Sequence, residues 1–414
     1  MRMFKGFYKL SIKDKLQKLK QHHWIDSAPI QVSEEITENM IENVIGQYRL
    51  PIGVAVNFQI NAQEFVIPMA IEEASVVAAA SHAAKILGNI ESHNQQKIIT
   101  GQIILAQINI TDTVGIVKTI ENEKIQLLNL ASSLSKNMVQ RGGGPKDLYL
   151  RVFESENTAF VTVYLNFDPC DAMGANSINT VLEGLSHRIY TLVDRKPLMS
   201  ILSNYSEESL TTARVSIPIS SLHDNAETAL TIGRDIELAS QYAQIDSYRA
   251  VTHNKGIMNG IDAVLVATAN DWRAVNASVH AFASRSGNYR GLSQWSLEEE
   301  CLKGELTLPL PVATVGGSIT AHSTAKWSLG LLKNPDAKQL SEIICAVGLA
   351  QNFAALKALV SEGIQKGHMA MQARNIAIAV GANGQYIDKL VEIMIDHQTI
   401  TREFAIEKLE EIMN

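Results

Sequence analysis

Between residues 98 and 220 the chain alternates between two hydrophobic patterns. Apolar residues recur at every second position in some segments, as in a half-buried strand, and at every third or fourth position in others, as in a helix. The segments follow one another as strand, helix, strand, strand, helix and strand, over residues 98–110, 117–136, 148–152, 160–167, 177–192 and 214–219. This order predicts a split βαβ, ferredoxin-like domain.

Outside that region the pattern is mostly helical and rich in alanine, valine and isoleucine. Residues 75–87 and 346–360 are apolar nearly all round, as in a helix that is buried in a core. The helical segment after residue 366 is interrupted by Gly381 and Gly384, so it is expected to form a separate unit. We therefore predict an α+β protein in which a large mixed α/β domain has a buried central helix. The domains are predicted as a large domain of residues 1–97 and 221–365, an inserted small domain of residues 98–220, and a C-terminal helical segment of residues 366–414.

Composition narrows the class of protein. The chain has 414 residues, of which 46% are hydrophobic and 19% charged, as in a soluble protein of two or more domains. The net charge of −7 argues against nucleic acid as a partner. No apolar run is long enough to span a bilayer, and the basic residues 1–23 predict a short amphipathic helix docked on the body. We expect no membrane association.

The cysteines and histidines predict the cellular compartment and bear on metal binding. Three cysteines far apart favour a reducing cytoplasm without disulfides, and eleven scattered histidines show no metal-binding spacing. We therefore expect a cytoplasmic protein without a metal site.

Residues 171–176, with the sequence DAMGAN, lie between a predicted strand and a predicted helix. Free N–H groups at a helix N-terminus bind anions, and a glycine there lets a phosphate approach the backbone. The stretch has one glycine and lacks the G-x-G-x-x-G pattern, so an ordinary strand–helix turn is the alternative.

Four polar side chains are candidates for chemistry, and each also has a structural interpretation. Glu73 precedes a helix, where the helix dipole favours a charged carboxylate, whereas a proton donor needs a raised pKa. For Lys255 the alternatives are a fixed cation that faces an oxyanion, a lysine that forms a Schiff base, and a solvated lysine in a turn. Asp271 caps the helix after it, or orients a lysine and a glutamate. His368 is structural, or protonates a thiolate, since imidazole titrates at about 6.5 and a thiol at about 8.5.

A series of motifs occurs along the chain in a specific order and spacing. They are ENVIG (42–46), PMAIEE (68–73), SVVAAAS (75–81), GGG (142–144), DAMGAN (171–176), THNKGIMNG (252–260), ATAND (267–271), ASR (283–285), VGG (315–317), VGLAQN (347–352) and EGIQKGH (362–368). Together they resemble the class II, soluble bacterial-type 3-hydroxy-3-methylglutaryl-coenzyme A (HMG-CoA) reductases, over most of the chain.

The resemblance implies an activity and an assembly. The activity is interconversion of HMG-CoA with mevalonate plus coenzyme A (CoA) by two successive hydride transfers with a nicotinamide cofactor, in the mevalonate pathway. The assembly is a homodimer, or a higher oligomer built from it, with the active site at the subunit interface. The small domain would bind the cofactor, the large domain the substrate, and the C-terminal segment would be a flap.

The family's functional residues can be carried over one by one. The catalytic residues fall on Glu73, Lys255, Asp271 and His368, the substrate-binding residues on Ser75, Arg249, Asn259 and Gln351, and the cofactor-binding stretch on Asp171, Met173, Gly174, Ala175 and Asn176. In these roles Lys255 stabilises an oxyanion, His368 protonates the CoA thiolate, Glu73 acts as a neutral acid and Asp271 holds the network together.

Two departures from the family pattern bear on the cofactor and the active site. Ala74 stands where many relatives have proline, which removes no catalytic group. Residues 132–138 contain no acid that would bind a ribose 2′-hydroxyl, whereas Lys136 and Arg141 are close by. This favours NADPH over NADH as cofactor.

Two other functions compete with this interpretation. One is CoA-dependent acyl transfer with Cys170 as the nucleophile, although no histidine is near it in sequence and a small buried residue is the simpler explanation. The other is a non-catalytic relative that binds CoA or a nucleotide. The presence of all four catalytic residue types argues against it.

Overall fold

The chain folds around two separate β-sheets. The computed structural model describes residues 4, 6–28, 33–361 and 364–413. The strands are β1 (Ile52–Ile60), β2 (Gln63–Ala70), β3 (Asn89–Asn94), β4 (Ile99–Ile108), β5 (Gly144–Ser155), β6 (Thr158–Asp168), β7 (Met199–Ser203), β8 (Leu210–Pro218), β9 (Ser293–Glu298) and β10 (Cys301–Pro309). The α-helices of the described part are α1 (Ile12–Gln21), α2 (Glu34–Glu38), α3 (Val76–Leu87), α4 (Thr113–Asn122), α5 (Lys124–Leu134), α6 (Lys136–Gln140), α7 (Ala175–Val193), α8 (Ala226–Ile245), α9 (Ser247–Ala267), α10 (Trp272–Ala283), α11 (Gly317–Ala321), α12 (Ser323–Leu331), α13 (Ala337–Val360), α14 (Ile364–Ala379), α15 (Gln385–Asp396) and α16 (Arg402–Met413).

Six strands form the larger sheet, in the order β2-β1-β3-β8-β10-β9. Strands β1 and β3 run parallel, and the other neighbours run antiparallel. In β8 the side chains of Ala213, Val215 and Ile217 are buried, whereas Arg214 and Ser216 between them are exposed. This alternation leaves one face of the sheet on the core and the other towards solvent.

The central helix of the larger domain is α13, which packs against α3, α9 and several strands of the six-stranded sheet. Its side chains are buried on nearly all sides from Ala337 to Phe353. In the part of the chain that the structure describes, α13 is the one helix long and apolar enough to cross a membrane, and 67% of its apolar window is buried inside the protein. It is therefore the buried central helix that the sequence predicts.

Helix α3 differs from the prediction. It buries Ala80, Ala83 and Ala84 but exposes His82 and Lys85, so only one side lies in the core. The prediction of burial all round is wrong for α3, because a run of alanines is apolar on every side and does not show which side is covered.

The smaller sheet has the ferredoxin-like arrangement. Its order is β5-β6-β4-β7 with all neighbours antiparallel, and α5 and α7 pack together beside it. The predicted helix over residues 117–136 is divided into α4 and α5 at Glu123. The chain leaves the larger sheet after β3 and returns in β8, its direct neighbour, so the small domain is an insertion between two paired strands.

The last strand of the small sheet was assigned wrongly from the sequence. Residues 214–219, predicted to complete it, belong mainly to β8 of the larger sheet, where β8 pairs with β3 and β10. The small sheet is completed instead by the short strand β7, which pairs with β4. Alternation predicts a strand but does not say which sheet it joins, and β7 has only five residues. The other domain limits stay predictions.

The two ends of the chain pack separately. Helix α1 buries Leu19 in a small apolar cluster with Val56, Val66 and Leu331, so the predicted docking of this helix on the body is confirmed. Helices α14, α15 and α16 form a cluster of their own around Ala377, as expected for a separate C-terminal unit.

Candidate active site

The predicted catalytic glutamate and lysine form an ion pair. Lys255 lies in α9, and Glu73 lies in the turn between β2 and α3. The Lys255 Nζ is 3.1 Å from Oε2 and 3.4 Å from Oε1 of Glu73, although 182 positions separate the two residues. The packing of α9 against β2 brings them together. Both are open to solvent, with 59% and 40% of their side chains exposed, so a substrate can reach both.

The predicted catalytic aspartate lies at the start of α10. The Asp271 carboxylate caps this helix by accepting from the Ala274 backbone N–H at 3.1 Å, and it accepts from the Arg273 Nε at 3.3 Å. Both partners lie in its own helix. Among the described residues, the carboxylate of Asp271 does not bond directly to Glu73 or Lys255. The structural interpretation of Asp271 as a cap is therefore confirmed, and its catalytic role stays a prediction.

The predicted substrate-binding residues lie on the helices around this pair. Ser75 is the residue before α3 and has a left-handed backbone with φ of 78°. Arg249 lies in the first turn of α9, where burial lowers the pKa of its guanidinium. Asn259 follows Lys255 by four residues, so the two side chains share one side of α9.

Gln351 lies on the buried helix α13 and is only 6% exposed. It approaches α9 closely, since a Cβ added to Gly260 would lie 3.0 Å from the Gln351 Cβ. In the described part of the structure its side-chain oxygen is buried without a hydrogen-bond partner. A buried oxygen of this kind is unfavourable unless a ligand or a water satisfies it.

His368, the fourth predicted catalytic residue, belongs to α14 by its backbone. Its side chain lies outside the described part of the structure, so its position relative to Lys255 stays a prediction.

The predicted cofactor stretch connects β6 to the 19-residue helix α7. Gly174 precedes this helix with φ of 85°, and Ala175 and Asn176 form its first turn. A Cβ at Gly174 would lie 2.5 Å from that of Pro169, so the chain is also too close there for a side chain. Gly174, at the N-cap of α7, has no side chain that could cap the helix, which fits a site for an anionic ligand.

The carboxylate of Asp171 bonds to a different helix, α13. Its Oδ1 accepts from the Ala337 N–H at the start of α13, and its backbone oxygen accepts from Thr314 and Val315. Met173 packs against the core of the larger domain. These two residues therefore attach the stretch to the larger domain and leave Gly174, Ala175 and Asn176 as its open part.

One segment links the predicted cofactor stretch to Asp271, the predicted catalytic aspartate. Thr314 donates to Asp171, and the adjacent Ala313 exchanges two hydrogen bonds with the side chain of Asn270, at 2.7 and 3.1 Å. Asn270 is 6% exposed and directly precedes Asp271. Sequence reasoning assigned Asn270 no function of its own, because its partner lies 43 positions away.

Lys97 is a second residue that sequence reasoning missed. It is 4% exposed, and its Nζ donates to the backbone oxygens of Cys170 and Ala172, at 2.7 Å each. Burial lowers its pKa to about 8, against the opposing effect of the Asp171 and Asp168 carboxylates. One lysine before a strand carries no signal that distinguishes it from a surface lysine.

Cys170 does not have the environment of a nucleophile. Burial, together with the Asp168 and Asp171 carboxylates, raises the pKa of its thiol, whereas a reactive cysteine needs the thiolate. A Cβ at Gly143 would lie 2.6 Å from its sulfur, so the triple glycine packs tightly over it. This environment argues against acyl transfer through Cys170.

A groove of about 920 Å³ lies on the solvent face of the larger sheet, between its strands and α8. Two ion pairs line it, Arg214 with Glu305 and Lys303 with Glu298, at 2.6 Å each, so its basic residues already have acidic partners. It contains none of the predicted site residues. The exposed Glu73–Lys255 pair is the better candidate because it places a cation where a carbonyl oxygen can reach it.

The fold and the site agree with one class of protein. A lysine–glutamate pair that a carbonyl oxygen can reach, together with a helix N-terminus of the inserted domain where an anion can bind, fits an oxidoreductase that uses a nicotinamide cofactor, which is the class to which the chain belongs.

Comparison with known proteins agrees with this class. The family described as hydroxymethylglutaryl-coenzyme A reductase matches residues 10–373. The 3-hydroxy-3-methylglutaryl-coenzyme A reductase of Archaeoglobus fulgidus is 37% identical over 98% of this chain and 94% of its own length. The probable reductase of Borreliella burgdorferi is 36% identical over 91% of this chain and 87% of its own length.

Solved structures agree in fold. The Streptococcus pneumoniae reductase is 43% identical, with a TM-score of 0.84 over 99% of each chain. A structure of the class II reductase of that organism, described as bound to NADPH in open conformations, is 44% identical, with a TM-score of 0.83 over 86% of this chain and all of the other. The chain therefore belongs to the HMG-CoA reductase family, and its function is that of an HMG-CoA reductase of the mevalonate pathway. The resemblance found in the sequence, the α+β fold class and the predicted function are confirmed.

Proposed function

We propose that the protein interconverts HMG-CoA with mevalonate plus CoA at the Glu73–Lys255 pair, by two successive hydride transfers. The contact between these two side chains, at 3.1 Å, is the observation that carries the assignment of the site. It joins a cation and a carboxylic acid on different elements of the larger domain, both accessible from solvent.

Lys255 acts on the substrate oxygen in both steps. The reaction takes two hydrides at the substrate carbon, which two reduced nicotinamide cofactors, bound one after the other, would supply. After the first, the carbonyl oxygen carries a negative charge, and the Lys255 ammonium stabilises it as the oxyanion of a hemithioacetal. Loss of one such donor typically lowers kcat by about 100- to 1000-fold.

Two side chains, His368 and Glu73, supply the protons that the reaction needs. Collapse of the hemithioacetal breaks the carbon–sulfur bond and releases the CoA thiolate, which His368 protonates. The aldehyde then accepts the second hydride, and Glu73, with Lys255, delivers a proton to its oxygen to give the alcohol. Asp271, held at the start of α10 near the segment that reaches the cofactor stretch, supports this network.

Closure of the site is assigned to the C-terminal unit. Lys255 is 59% exposed, and an ammonium in contact with water stabilises an oxyanion less than one in a dry site. Helices α14 to α16 form their own apolar cluster, which suits a body that moves as a unit and carries His368 to the substrate.

The cofactor is proposed to be NADPH, bound at the N-terminus of α7. The absence of a capping side chain there and the left-handed Gly174 fit an anionic dinucleotide. Lys136 and Arg141, both exposed, lie in the segment before β5 and can meet a 2′-phosphate. The Streptococcus pneumoniae relative described as bound to NADPH supports this choice.

The protein is further proposed to act as a cytoplasmic homodimer with its active site at the subunit interface. Large apolar side chains are exposed close to the catalytic residues in sequence: Tyr248 at 91%, Val251 at 54% and Trp272 at 47%. Exposed apolar side chains of this size mark interaction surfaces. Sedimentation equilibrium that yields only the mass of one chain would contradict the dimer.

The stoichiometry of the reaction tests the function. Purified protein is mixed with HMG-CoA and NADPH, and in parallel with NADH, while cofactor oxidation and free thiol are followed together. Two reduced cofactors consumed for each CoA released are expected, with faster rates for NADPH. Thiol release without cofactor oxidation would indicate acyl transfer or hydrolysis instead.

Substitution of Lys255 tests the site. Lys255→Ala is expected to lower kcat by about 100-fold or more, because it removes the oxyanion donor. Lys303→Ala serves as the control, since Lys303 is an exposed lysine paired with Glu298 on the solvent face of the sheet. Wild-type rates in Lys255→Ala would show that the reaction occurs elsewhere.

A further inference from the structure

The buried ammonium group of Lys97 lies beneath the cofactor stretch. Its Nζ donates to the carbonyl oxygen of Ala172, in that stretch, and to that of Cys170, the residue directly before it, at 2.7 Å each. Only 4% of the residue is exposed. Burying a charge is unfavourable unless it has hydrogen-bonding partners. The two carbonyl oxygens therefore hold the ammonium group in place, and the ammonium group in turn fixes the position of the two carbonyls.

The other peptide groups of the stretch are also fixed. The Asp168 carboxylate accepts from the Cys170 N–H at 2.8 Å, and the Asp171 oxygen accepts from Thr314 N–H at 2.9 Å. The backbone carbonyls of Cys170, Asp171 and Ala172 therefore each accept at least one hydrogen bond. These hydrogen bonds hold the backbone between β6 and α7 in one conformation.

The position of the charge also bears on anion binding. Lys97 precedes β4, which is the strand paired with β6, so the cation lies at the junction of the small and large domains. A positive charge in a low-dielectric surrounding acts over a longer distance than one in water. It adds to the positive end of the dipole of α7, a helix that begins three residues after Ala172.

We propose that Lys97 is a positioning residue for the nicotinamide dinucleotide: its ammonium group draws the carbonyls of Cys170 and Ala172 inward and so keeps the N-terminus of α7 available to the anionic part of the cofactor. This inference rests on the proposed function. It assigns Lys97 no contact with the substrate and no part in proton transfer.

The test uses Lys97→Met, which has a similar length and neither charge nor donors. NADPH affinity is measured by quenching of protein fluorescence in the absence of HMG-CoA, and the kinetic constants are measured separately. The dissociation constant and KM for NADPH are expected to rise about tenfold or more, as for loss of hydrogen bonds to a charged group. KM for HMG-CoA and kcat at saturating NADPH are expected to stay within about twofold, because the Glu73–Lys255 pair is untouched.

The control is Lys303→Met, which makes the same change of charge on the solvent face of the larger sheet, where Lys303 pairs with Glu298. Hydrogen exchange in the cofactor-free proteins adds a readout that does not depend on activity. Faster exchange at residues 170–178 in Lys97→Met, but not in Lys303→Met, is expected. Unchanged NADPH affinity in folded Lys97→Met would overturn the inference, as would an equal loss for NADPH and HMG-CoA, which indicates general destabilisation.

The pH dependence of the wild type keeps the inference testable if Lys97→Met does not fold. The groups that face Lys97 are Asp168, Asp171 and Cys170, and burial is the main cause that lowers its pKa to about 8. The thiol has its pKa raised above its ordinary 9.0 by burial and by the two carboxylates. NADPH affinity is therefore expected to weaken as the pH rises through about 8, where Lys97 loses its proton.

A constant affinity between pH 7 and 9 would overturn the inference. Failure of the wild type to bind NADPH at any pH would contradict the proposed function instead, so the two failures are distinguishable.

Discussion

At the scale of the residue, a buried polar network fixes the helix that carries Lys255. The His253 Nε2 lies 2.6 Å from the Ser293 Oγ, and Ser293 donates to the Asn352 Oδ1 at 2.8 Å. The Trp295 Nε1 donates to the same Asn352 oxygen. His253 is two residues from Lys255, and Asn352 is next to Gln351 on α13. The network therefore positions Lys255, the predicted catalytic lysine, and Gln351, a predicted substrate-binding residue, relative to each other.

The histidine of this network makes stability depend on pH. Burial, with a smaller effect of Arg249, lowers the pKa of His253 from 6.5 to about 4. Between these values the unfolded chain binds the proton and the folded protein does not, so stability is complete above about 6.5 and is lost as the pH falls. From pH 7 to pH 5 the His253 contribution to the free energy of unfolding is expected to fall by about 2 kcal/mol.

Urea unfolding of the wild type and His253→Gln at both pH values measures this effect. The glutamine variant is less stable at pH 7 but lacks the His253 share of the pH dependence, so the difference between the two proteins narrows at pH 5. An equal loss in both proteins would mean that other groups cause it.

At the scale of the element, the turn between α9 and α10 determines where Asp271 lies. Asn270 fixes this turn by its two hydrogen bonds with Ala313, and Ser318 donates to the Ala269 carbonyl at 3.4 Å. The segment that supplies these partners also holds the cofactor stretch through Asp171. Asp271 and the start of the proposed cofactor site are thus positioned by the same segment of chain.

Asn270→Ala is expected to weaken both parts of the site. It leaves the N–H and carbonyl of Ala313 unpaired in a buried place, which lowers the free energy of unfolding by about 2 kcal/mol. It should also lower kcat and raise KM for NADPH together, since the turn and the cofactor stretch share the segment. Steady-state kinetics and urea unfolding measure the two effects.

Asn225→Ala is the matched control. Asn225 caps α8 by accepting from the Thr228 N–H, and its loss typically lowers stability by about 1 kcal/mol. Its kinetics should be unchanged. If Asn270→Ala lost stability but kept wild-type kinetics, the turn would have no role in positioning Asp271.

At the scale of the whole molecule, much of the architecture is predictable from the sequence. Alternating apolar positions located β4 and β6, and the helical period located α7, because each of these elements is long and has one buried side. Sheet membership was not predictable for β8, since its alternation would suit either sheet. The prediction of α3 failed for a related reason, because composition alone does not show what covers a surface.

The residues of the site were likewise only partly predictable from the sequence. Glu73 and Lys255 were assigned by resemblance, and their contact across 182 positions agrees with it. Asp171 was predicted to contact the cofactor, whereas its carboxylate bonds to the start of α13. Lys97 was missed, because its burial arises only when the two domains meet. A role that depends on packing between distant segments leaves no local pattern in the chain.

The insertion of the small domain between β3 and β8 has a consequence for the order of folding. Asn94 and Thr211, 117 positions apart, meet through a hydrogen bond of 2.8 Å. Closing a loop this long in a disordered chain is entropically costly, and each doubling of length adds about 0.6 kcal/mol. If the inserted residues are already compact, the gap that β3 must bridge to reach β8 shrinks to a few residues.

Pulse-labelled hydrogen exchange during refolding should therefore protect amides of β4 and β6 before those of β3 and β8. The β1–β2 hairpin, whose pairing is local, serves as the internal reference and should not wait for the insertion. Simultaneous protection of β3 and β6 would contradict this order. The domain proposed to bind the cofactor would then also act during folding. Because it forms first, it would bring β3 and β8 together and so complete the sheet around which the predicted catalytic residues lie.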